Sequence, residues 1–545
     1  MIKTKNLLNL ISLTIGTVTS LYIFGYDFLV SKTTFFYHFD HTVPLTGYLA
    51  FINDSWHFPL AVTDNIYPGS NFSIVWTDSI PIFSIFLKLI YSIFGFKLSN
   101  PLSLWYFICY ILLAFFVGKI IQLRTNNIVV YAISIVLLIN TPLMINRMIN
   151  HAALSAHWLI VASVYFYILN KENEYTHLNK HALNTGISLY VHPYIFTIIF
   201  PVFFVSIIYG FLKGGFLKIK TSLIIFLSLV SIYFSAILTN LNMPENSYKR
   251  PDFIKYGAQF NSFFCGETPN SLLNKYLLCD PPYTQISLEG YGYFGIGIIF
   301  LSIFLALQPK KHLNDIKQNW VIVTTLLLMV IYSFGNKWKI AHAQIFEFEP
   351  IPIHMKLLEI FRSTGRYTWA FYYFFSIYLV LNILKYKKKS IGIFILSLAL
   401  FLQLSEASNV YPDKSGWFQL YDLPNEQISL AKEIYEKNSE RVLHVLPDER
   451  CSFPEPDHYI MALEYLKYGG TVFSTRTARL KIDAGFCEDY TINKSLEKYR
   501  PYHFVINNID DLDATDYKKD YECLVVSSYL QQTSKPGYCK TILED

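Results

Sequence analysis

The residues best suited to chemistry in this chain of 545 fall in short clusters separated by long apolar runs. The first cluster, residues 26–79, holds five aspartates and three histidines but no glutamate and a single lysine. Desolvation at an apolar interface raises the pKa of a carboxyl group, which suits it to act as a general base on a hydroxyl. Asp40 and Asp78 are therefore the candidate catalytic carboxylates, and His57 is a candidate for substrate binding.

Each carboxylate has a second interpretation that the sequence leaves open. Asp78 comes just before an apolar stretch and could instead cap the helix that begins there. Asp40 could be a solvated loop residue. The two aspartates could also bind a divalent cation, but no ligand spacing requires one, so no metal site or other cofactor is predicted.

Two further clusters combine arginine with aromatic or histidine residues. In NRMINHAALSAHW, Arg147 and His151 are four residues apart, which places them on one face if the segment is helical. In FRSTGRYTWAFYY, Arg362 and Arg366 have the same spacing. Paired guanidiniums can bind a phosphate group bidentately. The alternative is that these cations only anchor the chain to lipid headgroups.

Two single residues complete the candidates for substrate binding. Glu289 lies in SLEGYGYFG, just before an apolar run, and His192 lies in a His-Pro pair between two apolar runs. A His-Pro pair is also common in purely structural turns, because proline ends or kinks a helix.

The elements that must position these residues are membrane helices. The chain is 52% apolar and 17% aromatic, and only 16% of its residues are charged, against roughly 25% in soluble domains. The apolar runs predict an integral membrane protein with about eleven spans. The basic residues lie in short loops, so no nucleic-acid partner is expected. The spans are expected near residues 7–25, 103–120, 129–145, 153–170, 182–192, 194–212, 221–239, 290–307, 319–335, 366–384 and 390–404.

The lysines and arginines of the short loops predict a cytoplasmic N-terminus and place the candidate site residues on the external side. This orientation requires that one apolar segment, residues 80–96, does not cross the membrane. The segment starts with proline, contains Lys88 and ends near a glycine, and we expect a helix lying in the outer interface within a first external loop, residues 26–102. An ordinary span with imperfect loop charges is the alternative.

The C-terminal part of the chain has a different pattern. Residues 442–446 and 503–506 are typical of strands, whereas 430–435 and 459–468 are typical of amphipathic helices. The sequence therefore predicts a mainly α fold, with a transmembrane helical bundle over 1–404 and a small external α/β domain over 405–545.

Six of the seven cysteines fall in segments expected to be external, and Cys109 falls within a span. An even number on one side suits an oxidising compartment. Sequential pairing is the simplest scheme, and six reduced thiols are the alternative. The pairs would be Cys265 with Cys279, Cys451 with Cys487, and Cys523 with Cys539.

The whole layout resembles the GT-C superfamily of polytopic glycosyltransferases. The resemblance, to a bacterial branch of that superfamily, is carried by WHFPL, YPGSNFSIVWTDSIP, RMINHAALSAHW, HPY, EGYGYFG and FRSTGRYTWAFYY, and covers most of residues 20–404. It implies a polyprenyl-phosphate sugar as donor and an envelope glycan or lipid as acceptor. Asp40 would be the general base of an inverting transfer, and Asp78 would orient the acceptor or support the loop. Arg147, His151, Arg362 and Arg366 would bind the donor phosphate.

The same resemblance implies a place in the bacterial inner membrane with the C-terminal domain in the periplasm. No Asp-x-Asp or Asp-x-Glu pair stands in the first external loop, which argues against the metal-dependent chemistry of some relatives. Two other functions stay open. One is a flippase or transporter for lipid-linked glycans, and the other is a non-catalytic protein of polysaccharide assembly.

Overall fold

The fold is taken from a computed structural model of the full chain. The structure describes residues 2–30, 39–69, 71–98, 100–173, 175–238, 256–265, 273, 289–340, 343–352, 361–386, 388–410, 425–438, 441–446, 456–473, 491–499, 501, 503–506, 508–513, 515–525 and 537–542.

The chain forms two compact units, and each is assembled from three separate segments. The first unit contains residues 1–29, 103–229 and 249–417, and the second contains residues 30–102, 230–248 and 418–545. The boundary expected between residues 404 and 405 stays a prediction.

The first unit is helical. Its helices are α1 (Ile2–Phe24), α2 (Tyr26–Val30), α5 (Pro101–Gln122), α6 (Ile128–Ile139), α7 (Pro142–Asn150), α8 (His157–Glu172), α9 (Leu178–Leu189), α10 (Pro193–Leu212), α11 (Phe216–Leu238), α12 (Ile296–Ala306), α13 (Pro309–Gln318), α14 (Trp320–Ser333), α15 (Thr368–Ile383) and α16 (Lys389–Val410). A hairpin of β3 (Lys337–Ile340) and β4 (Ala343–Glu347) follows α14. The last residue of α2, the first two residues of α5 and residues 230–238 of α11 belong to the second unit.

Six helices of the described chain are long and apolar enough to cross a bilayer, or seven if α12 and α13 form one bent span. The six include residues of α1, α5, α8, α10, α11 and α16. This supports a membrane protein but does not confirm the predicted count of eleven. A helix needs about 20 residues to cross about 30 Å of hydrocarbon, and α9, α14 and α15 have 12, 14 and 16.

The predicted span 129–145 is broken in the structure. α6 ends at Ile139, and α7 starts at Pro142 after Thr141, whose hydroxyl accepts a hydrogen bond from the backbone N–H of Met144. Proline lacks the N–H that a continuous helix needs, but it fits the first turn of a new one. Two shorter helices therefore replace one span.

The predicted span 290–307 also differs. Only α12, with 11 residues, is helical there, and α13 follows at an angle of 97°. α12 packs closely on α16, since a Cβ atom at Gly297 would lie 2.2 Å from the carbonyl oxygen of Ala399. The amide of Gln403 secures this contact by donating to the carbonyl oxygen of Phe294, 3.1 Å away.

The second unit begins with the first loop of the chain. α3 (Phe39–Asn53) is followed by the short strands β1 (Val62–Thr63) and β2 (Phe72–Ser73), which pair antiparallel, and by α4 (Pro81–Phe94). α4 starts at a proline, ends at Gly95 in the left-handed conformation (φ 67°) and has 14 residues. These are the bounds expected for the interfacial helix, and it is too short to cross a bilayer.

The rest of the second unit is built around a five-stranded mixed sheet, whose strands in order are β6 (Thr471–Val472), β5 (Val442–Leu446), β7 (His503–Ile506), β9 (Gly537–Thr541) and β8 (Tyr521–Val525). β6, β5 and β7 are parallel, whereas β9 runs antiparallel to both of its neighbours. The strands predicted at 442–446 and 503–506 and the helices predicted at 430–435 and 459–468 are present in the structure. The elements are α17 (Asn425–Lys437), β5 (Val442–Leu446), α18 (Pro456–Lys467), β6 (Thr471–Val472), α19 (Ile492–Tyr499), β7 (His503–Ile506), α20 (Ile509–Asp513), β8 (Tyr521–Val525) and β9 (Gly537–Thr541). That they form a separate external domain stays a prediction.

The first loop and the C-terminal segment pack on each other inside the second unit. α3 contacts α18, and the Asn53 amide donates to the carbonyl oxygen of Leu466 at 2.5 Å. The Lys97 ammonium donates to Asn53 Oδ1 and to the carbonyl oxygen of Lys467, both at 2.7 Å. Burial, together with the nearby charge of Lys467, lowers the pKa of Lys97 to about 8.

The predicted disulfide between Cys523 and Cys539 is confirmed, and it joins directly opposed residues of β8 and β9. Cys265 is also disulfide-bonded. Cys279, Cys451 and Cys487 lie outside the described residues, and Cys109 is a buried free thiol.

Candidate functional site

A largely buried cluster of two arginines and one glutamate lies in the first unit. Arg147 Nη1 donates to Glu289 Oε2 at 2.9 Å, and Arg366 Nε donates to the same oxygen at 2.7 Å. The side chains of Arg147, Arg366 and Glu289 are 2%, 7% and 18% exposed. Buried charges are stable only when paired in good geometry, so the three side chains hold one another in place.

Three separate parts of the chain supply this cluster. Arg147 comes from α7, and Glu289 lies ahead of α12. Arg366 belongs to a short 3₁₀ turn, Thr364–Tyr367, that leads into α15. Gly365 and Gly290 bring the last two together, since a Cβ atom at Gly365 would lie 2.3 Å from Gly290 Cα. Any larger residue would separate the two backbones.

Aromatic rings surround the two guanidiniums. The Arg147 Cζ atom lies 5.5 Å from the centre of the Trp369 ring, and the Arg366 Cζ atom lies 4.3 Å from the Tyr194 ring. The Tyr194 hydroxyl accepts a hydrogen bond from the backbone N–H of Ser363 at 2.8 Å. A guanidinium is attracted to the face of an aromatic ring, so these rings restrict both arginines further.

The electrostatic state of Glu289 follows from this environment. Burial raises its pKa, but the charges of Arg147 and Arg366, with the hydrogen bond from Arg366, outweigh burial and hold the pKa well below its usual range. Glu289 is therefore an ionised positioning group. Two guanidiniums and one carboxylate give these three side chains a net positive charge, which suits the cluster to attract an anionic oxygen group.

The other candidate residues of the first unit, His151, His192 and Arg362, do not hydrogen-bond to Glu289 in the described structure, but the charge of His151 helps to lower the pKa of Glu289. α7 ends at Asn150, and His151 follows in an extended conformation with its N–H bonded to the carbonyl oxygen of Arg147. The helix expected over Arg147 and His151 therefore contains Arg147 and ends one residue before His151, which is its C-cap residue. The His151 ring lies 5.4 Å from the ring of His192. Arg362 is exposed, whereas Arg366 is buried. The Arg362 Cζ atom lies 5.4 Å from the centre of the Tyr256 ring.

His192 has a structural role at the start of a helix, in line with the structural interpretation of the His-Pro pair. Its Nδ1 atom accepts a hydrogen bond from the backbone N–H of Tyr194 at 3.0 Å and caps α10, which begins at Pro193. Its ring also packs against the ring of Tyr194, 5.6 Å away. The cap therefore places His192 beside Tyr194, one of the aromatic rings that contact the arginine cluster.

His57 belongs to a compact network in the second unit. Asp54 Oδ2 accepts from the Thr63 hydroxyl at 2.8 Å and from the backbone N–H of Asp64 at 2.6 Å, and His57 Nε2 lies 3.1 Å from it. Burial raises the pKa of Asp54, but these hydrogen bonds outweigh burial and lower it. Ser55 Oγ meets the same ring nitrogen of His57 at 3.1 Å. A serine–histidine–aspartate relay uses both ring nitrogens, so this network is not such a relay.

The two candidate catalytic aspartates are also in the second unit. Asp40 lies in the first turn of α3, and its side chain lies outside the described part of the structure. Asp78 follows a 3₁₀ turn, Ile74–Thr77, in the left-handed conformation (φ 53°). It does not cap α4, whose N-cap residue is Ile80. The roles proposed for both aspartates remain predictions.

Sequence reasoning found the charged members of the cluster but not their relationship. Glu289 was expected to bind substrate, whereas it binds two arginines of the chain itself. Tyr194 and Trp369 were not singled out, although both stand in the motifs HPY and FRSTGRYTWAFYY. The glycines of EGYGYFG and STGR were the available signal, because glycine often marks close approach of two backbones.

Two solved structures resemble this chain. Arabinofuranosyltransferase AftD from Mycobacteria has a TM-score of 0.53 at 9% sequence identity, over 97% of this chain and 40% of that chain. The oligosaccharyltransferase of Archaeoglobus fulgidus in its apo form has a TM-score of 0.41 at 10% identity, over 98% of this chain and 75% of that chain, a likeness too low to carry an argument. This chain spans less than half the length of AftD.

At this level of identity the likeness establishes the fold alone, and it confirms the expected GT-C fold. Residues 13–408 match the family described as Domain of unknown function (DUF6311), and the chain belongs to that family. No curated protein matches the sequence.

Proposed function

We propose that this protein is a membrane glycosyltransferase that moves a sugar from a polyprenyl-phosphate donor to a cell-envelope glycan or lipid acceptor. The observation that supports it best is the buried Arg147–Glu289–Arg366 cluster on a GT-C fold. Two arginines from distant parts of the chain converge on one carboxylate, which fixes their orientation before any ligand binds. Preorganised cations of this kind accelerate reactions in which a phosphate leaves.

In the proposed reaction Asp40 takes the proton of an acceptor hydroxyl. The acceptor oxygen then attacks the anomeric carbon of the sugar, and the bond from that carbon to the phosphate oxygen breaks. The polyprenyl phosphate leaves with the electron pair of that bond. A single displacement inverts the anomeric centre. Asp78 would orient the acceptor.

The arginine cluster would act on the leaving group. The developing negative charge on the phosphate is stabilised by Arg147 and Arg366, with His151 and Arg362 as further contacts. Glu289 holds both guanidiniums and does not touch the substrate, so it is a positioning residue. An arginine suits this role better than a lysine because its planar donors match two phosphate oxygens.

The test is a transfer assay with purified protein in lipid discs. A panel of polyprenyl-phosphate sugars is offered with crude envelope glycan, and release of free polyprenyl phosphate is followed. We expect release from one donor, and its loss in Asp40→Asn. Asp27→Asn, an exposed aspartate on α2, is the matched control and should keep full activity. Equal activity of the Asp40→Asn and wild-type proteins would contradict the role of Asp40.

A second pair of variants tests the cluster. Arg366→Gln should lower kcat/KM for the donor by at least tenfold, since a charge-assisted hydrogen bond is lost. Arg124→Gln is the control, because Arg124 is partly exposed and ion-paired with Glu172. No release from any donor by the folded wild-type protein would contradict the transferase proposal and favour a lipid-flipping assay.

A further inference from the structure

The turn that carries Asp78 has an unusual backbone. Asp78 and Ile80 both adopt the left-handed conformation, with φ of 53° and 52°. This conformation is uncommon for residues other than glycine, and it is an outlier for a β-branched residue such as isoleucine. Strained residues of this kind persist only where the surrounding contacts impose them, and they are concentrated at functional sites. The contacts of this turn therefore determine where Asp78 lies.

Two buried hydroxyl groups, one on each side of Asp78, supply these contacts. Thr77 is fully buried and Ser79 is 3% exposed, whereas Asp78 is half-buried. The Ser79 hydroxyl donates to the carbonyl oxygen of Pro44 on α3 at 2.7 Å. The hydroxyl oxygens of Thr77 and Ser79 lie 2.6 Å apart, so the two groups form one hydrogen-bonded pair. This hydroxyl pair joins the turn to α3.

Ser79 meets α3 at a point where that helix lacks a backbone hydrogen bond. Pro44 lies inside α3. Proline has no N–H, so the bond that residue 44 of a regular helix would donate to the carbonyl oxygen of Asp40 is not formed. The first turn of α3, which contains Asp40, therefore has one helical bond fewer to the rest of the helix. The bond from Ser79 to Pro44 adds a contact from outside the helix at this place.

Gly47 allows α3 and the turn to come into direct contact. A Cβ atom at Gly47 would lie 1.9 Å from Thr77 Oγ1 and 2.2 Å from Ser79 Oγ. Any other residue at this position would displace the hydroxyl pair. Pro44 and Gly47 are three residues apart, so they lie on the same face of α3. Both contacts therefore fix that face against the hydroxyl pair.

We infer that Ser79 is a positioning residue for both candidate catalytic aspartates. It is adjacent to Asp78 in the strained turn, and its hydroxyl bonds to Pro44, four residues after Asp40. One side chain thus sets the place of two carboxylates on a common scaffold. Support of the loop, the alternative role of Asp78, is supplied by Thr77 and Ser79. The inference rests on the proposed glycosyl transfer, in which Asp40 takes the acceptor proton and Asp78 orients the acceptor.

The experiment compares Ser79→Ala with the wild-type protein in the transfer assay, using the purified full chain in lipid discs and the donor that the wild-type protein accepts. We expect kcat to fall at least tenfold, because a small displacement of a catalytic group slows the reaction strongly. KM for the donor should change less than twofold, since the residues proposed to bind its phosphate belong to the first unit. A merely structural role would reduce the yield of folded protein and leave kcat per folded molecule unchanged.

Thr46→Val is the matched control. Thr46 is also on α3 and is 1% exposed, but its hydroxyl donates within the helix, to the carbonyl oxygen of Thr42 at 2.9 Å. The kcat of this variant should stay within twofold of the wild-type value. Thr77→Val removes the other hydroxyl of the pair and keeps the shape of the side chain. It should lower kcat with an unchanged KM, and it provides the test if Ser79→Ala does not fold.

Hydrogen exchange gives a readout that does not depend on transfer. In Ser79→Ala the amides of the first half of α3 and of residues 74–80 should both exchange faster than in the wild-type protein, whereas Thr46→Val should leave residues 74–80 unchanged. Wild-type kcat in Ser79→Ala, an equal loss of kcat in Thr46→Val, or faster exchange in only one of the two segments would overturn the inference. No transfer by the wild-type protein would instead contradict the proposed function, and hydrogen exchange would still decide whether Ser79 joins the two segments.

Discussion

Gly365 packs on Gly290 backbone to backbone, at a distance where a Cβ atom on Gly365 would lie 2.3 Å from Gly290 Cα. The residues next to them in sequence, Arg366 and Glu289, form a hydrogen bond of 2.7 Å. A main-chain contact therefore sets the position of this ion pair, and long flexible side chains do not have to search for each other.

We expect Gly365→Ala to destabilise the protein by about 1–3 kcal/mol, the usual cost of overpacking. The added methyl group must push the 3₁₀ turn away from Gly290 and lengthen the bond between Arg366 and Glu289. Denaturant unfolding in detergent measures the change. Gly292→Ala is the matched control in the same motif, because the nearest atom to its Cβ would be 3.5 Å away. Equal destabilisation by both variants would contradict the prediction that close packing of Gly365 on Gly290 causes the loss of stability.

Glu289→Gln should cost about 3 kcal/mol or more of unfolding free energy, since breaking a buried ion pair leaves buried charge without its compensating partner. Here one substitution affects two arginines. The matched control is Glu172→Gln, which breaks the partly exposed pair with Arg124 and should cost no more than about 1 kcal/mol. The comparison is made by chemical unfolding at neutral pH, and similar losses in the two variants would refute the structural role of Glu289.

The stability of the protein should depend on Lys88 at alkaline pH. Lys88 lies on α4, with its ammonium 2.8 Å from the carbonyl oxygen of Ser55 and 4.0 Å from the centre of the Phe51 ring. Burial lowers the pKa of Lys88 to about 8, although the charge of Asp54 partly opposes this.

The sign of the effect follows from this shift. Between pH 8 and the ordinary lysine value of 10.5, the unfolded chain binds more protons than the folded chain, so stability rises with pH across that window. Lys88→Met should lack this contribution, so the stability difference between variant and wild type should change steadily between pH 8 and 10. Thermal unfolding at several pH values measures it. Lys389→Met changes an exposed lysine, so the stability of this variant should have the same pH dependence as that of the wild-type protein.

Removal of the Cys523–Cys539 disulfide should destabilise the sheet of the second unit. The bond closes a loop with a sequence separation of 16, and cross-links of this length contribute about 3 kcal/mol. Hydrogen exchange of the amides in β8 and β9 should accelerate in Cys523→Ser. Chemical reduction of the wild-type protein should give the same pattern, and unchanged exchange after reduction would contradict the prediction.

Local patterns predicted many elements of the fold. The strand runs at 442–446 and 503–506 match β5 and β7, and the proline and glycine at the ends of the apolar run at 80–96 match the bounds of α4. These signals lie in neighbouring residues, where side-chain alternation and backbone restriction act directly.

The errors came from features that neighbouring residues do not determine. Hydropathy alone could not show that Thr141 and Pro142 end one helix and start another. It also could not show that a 97° bend follows α12. In the candidate site, the pairing of Glu289 with Arg147 spans 142 residues of sequence, and a single sequence carries no signal for such a contact.

The second unit extends beyond the part of the chain that matches the DUF6311 family. The family match ends at residue 408, yet α3 rests on α18, and Ile66 pairs with Val472. The matched region therefore ends within the sequence of the second unit. A fragment cut at residue 408 would expose the surface of α3 that α18 covers, so the segment that carries Asp40 packs on residues beyond the matched region.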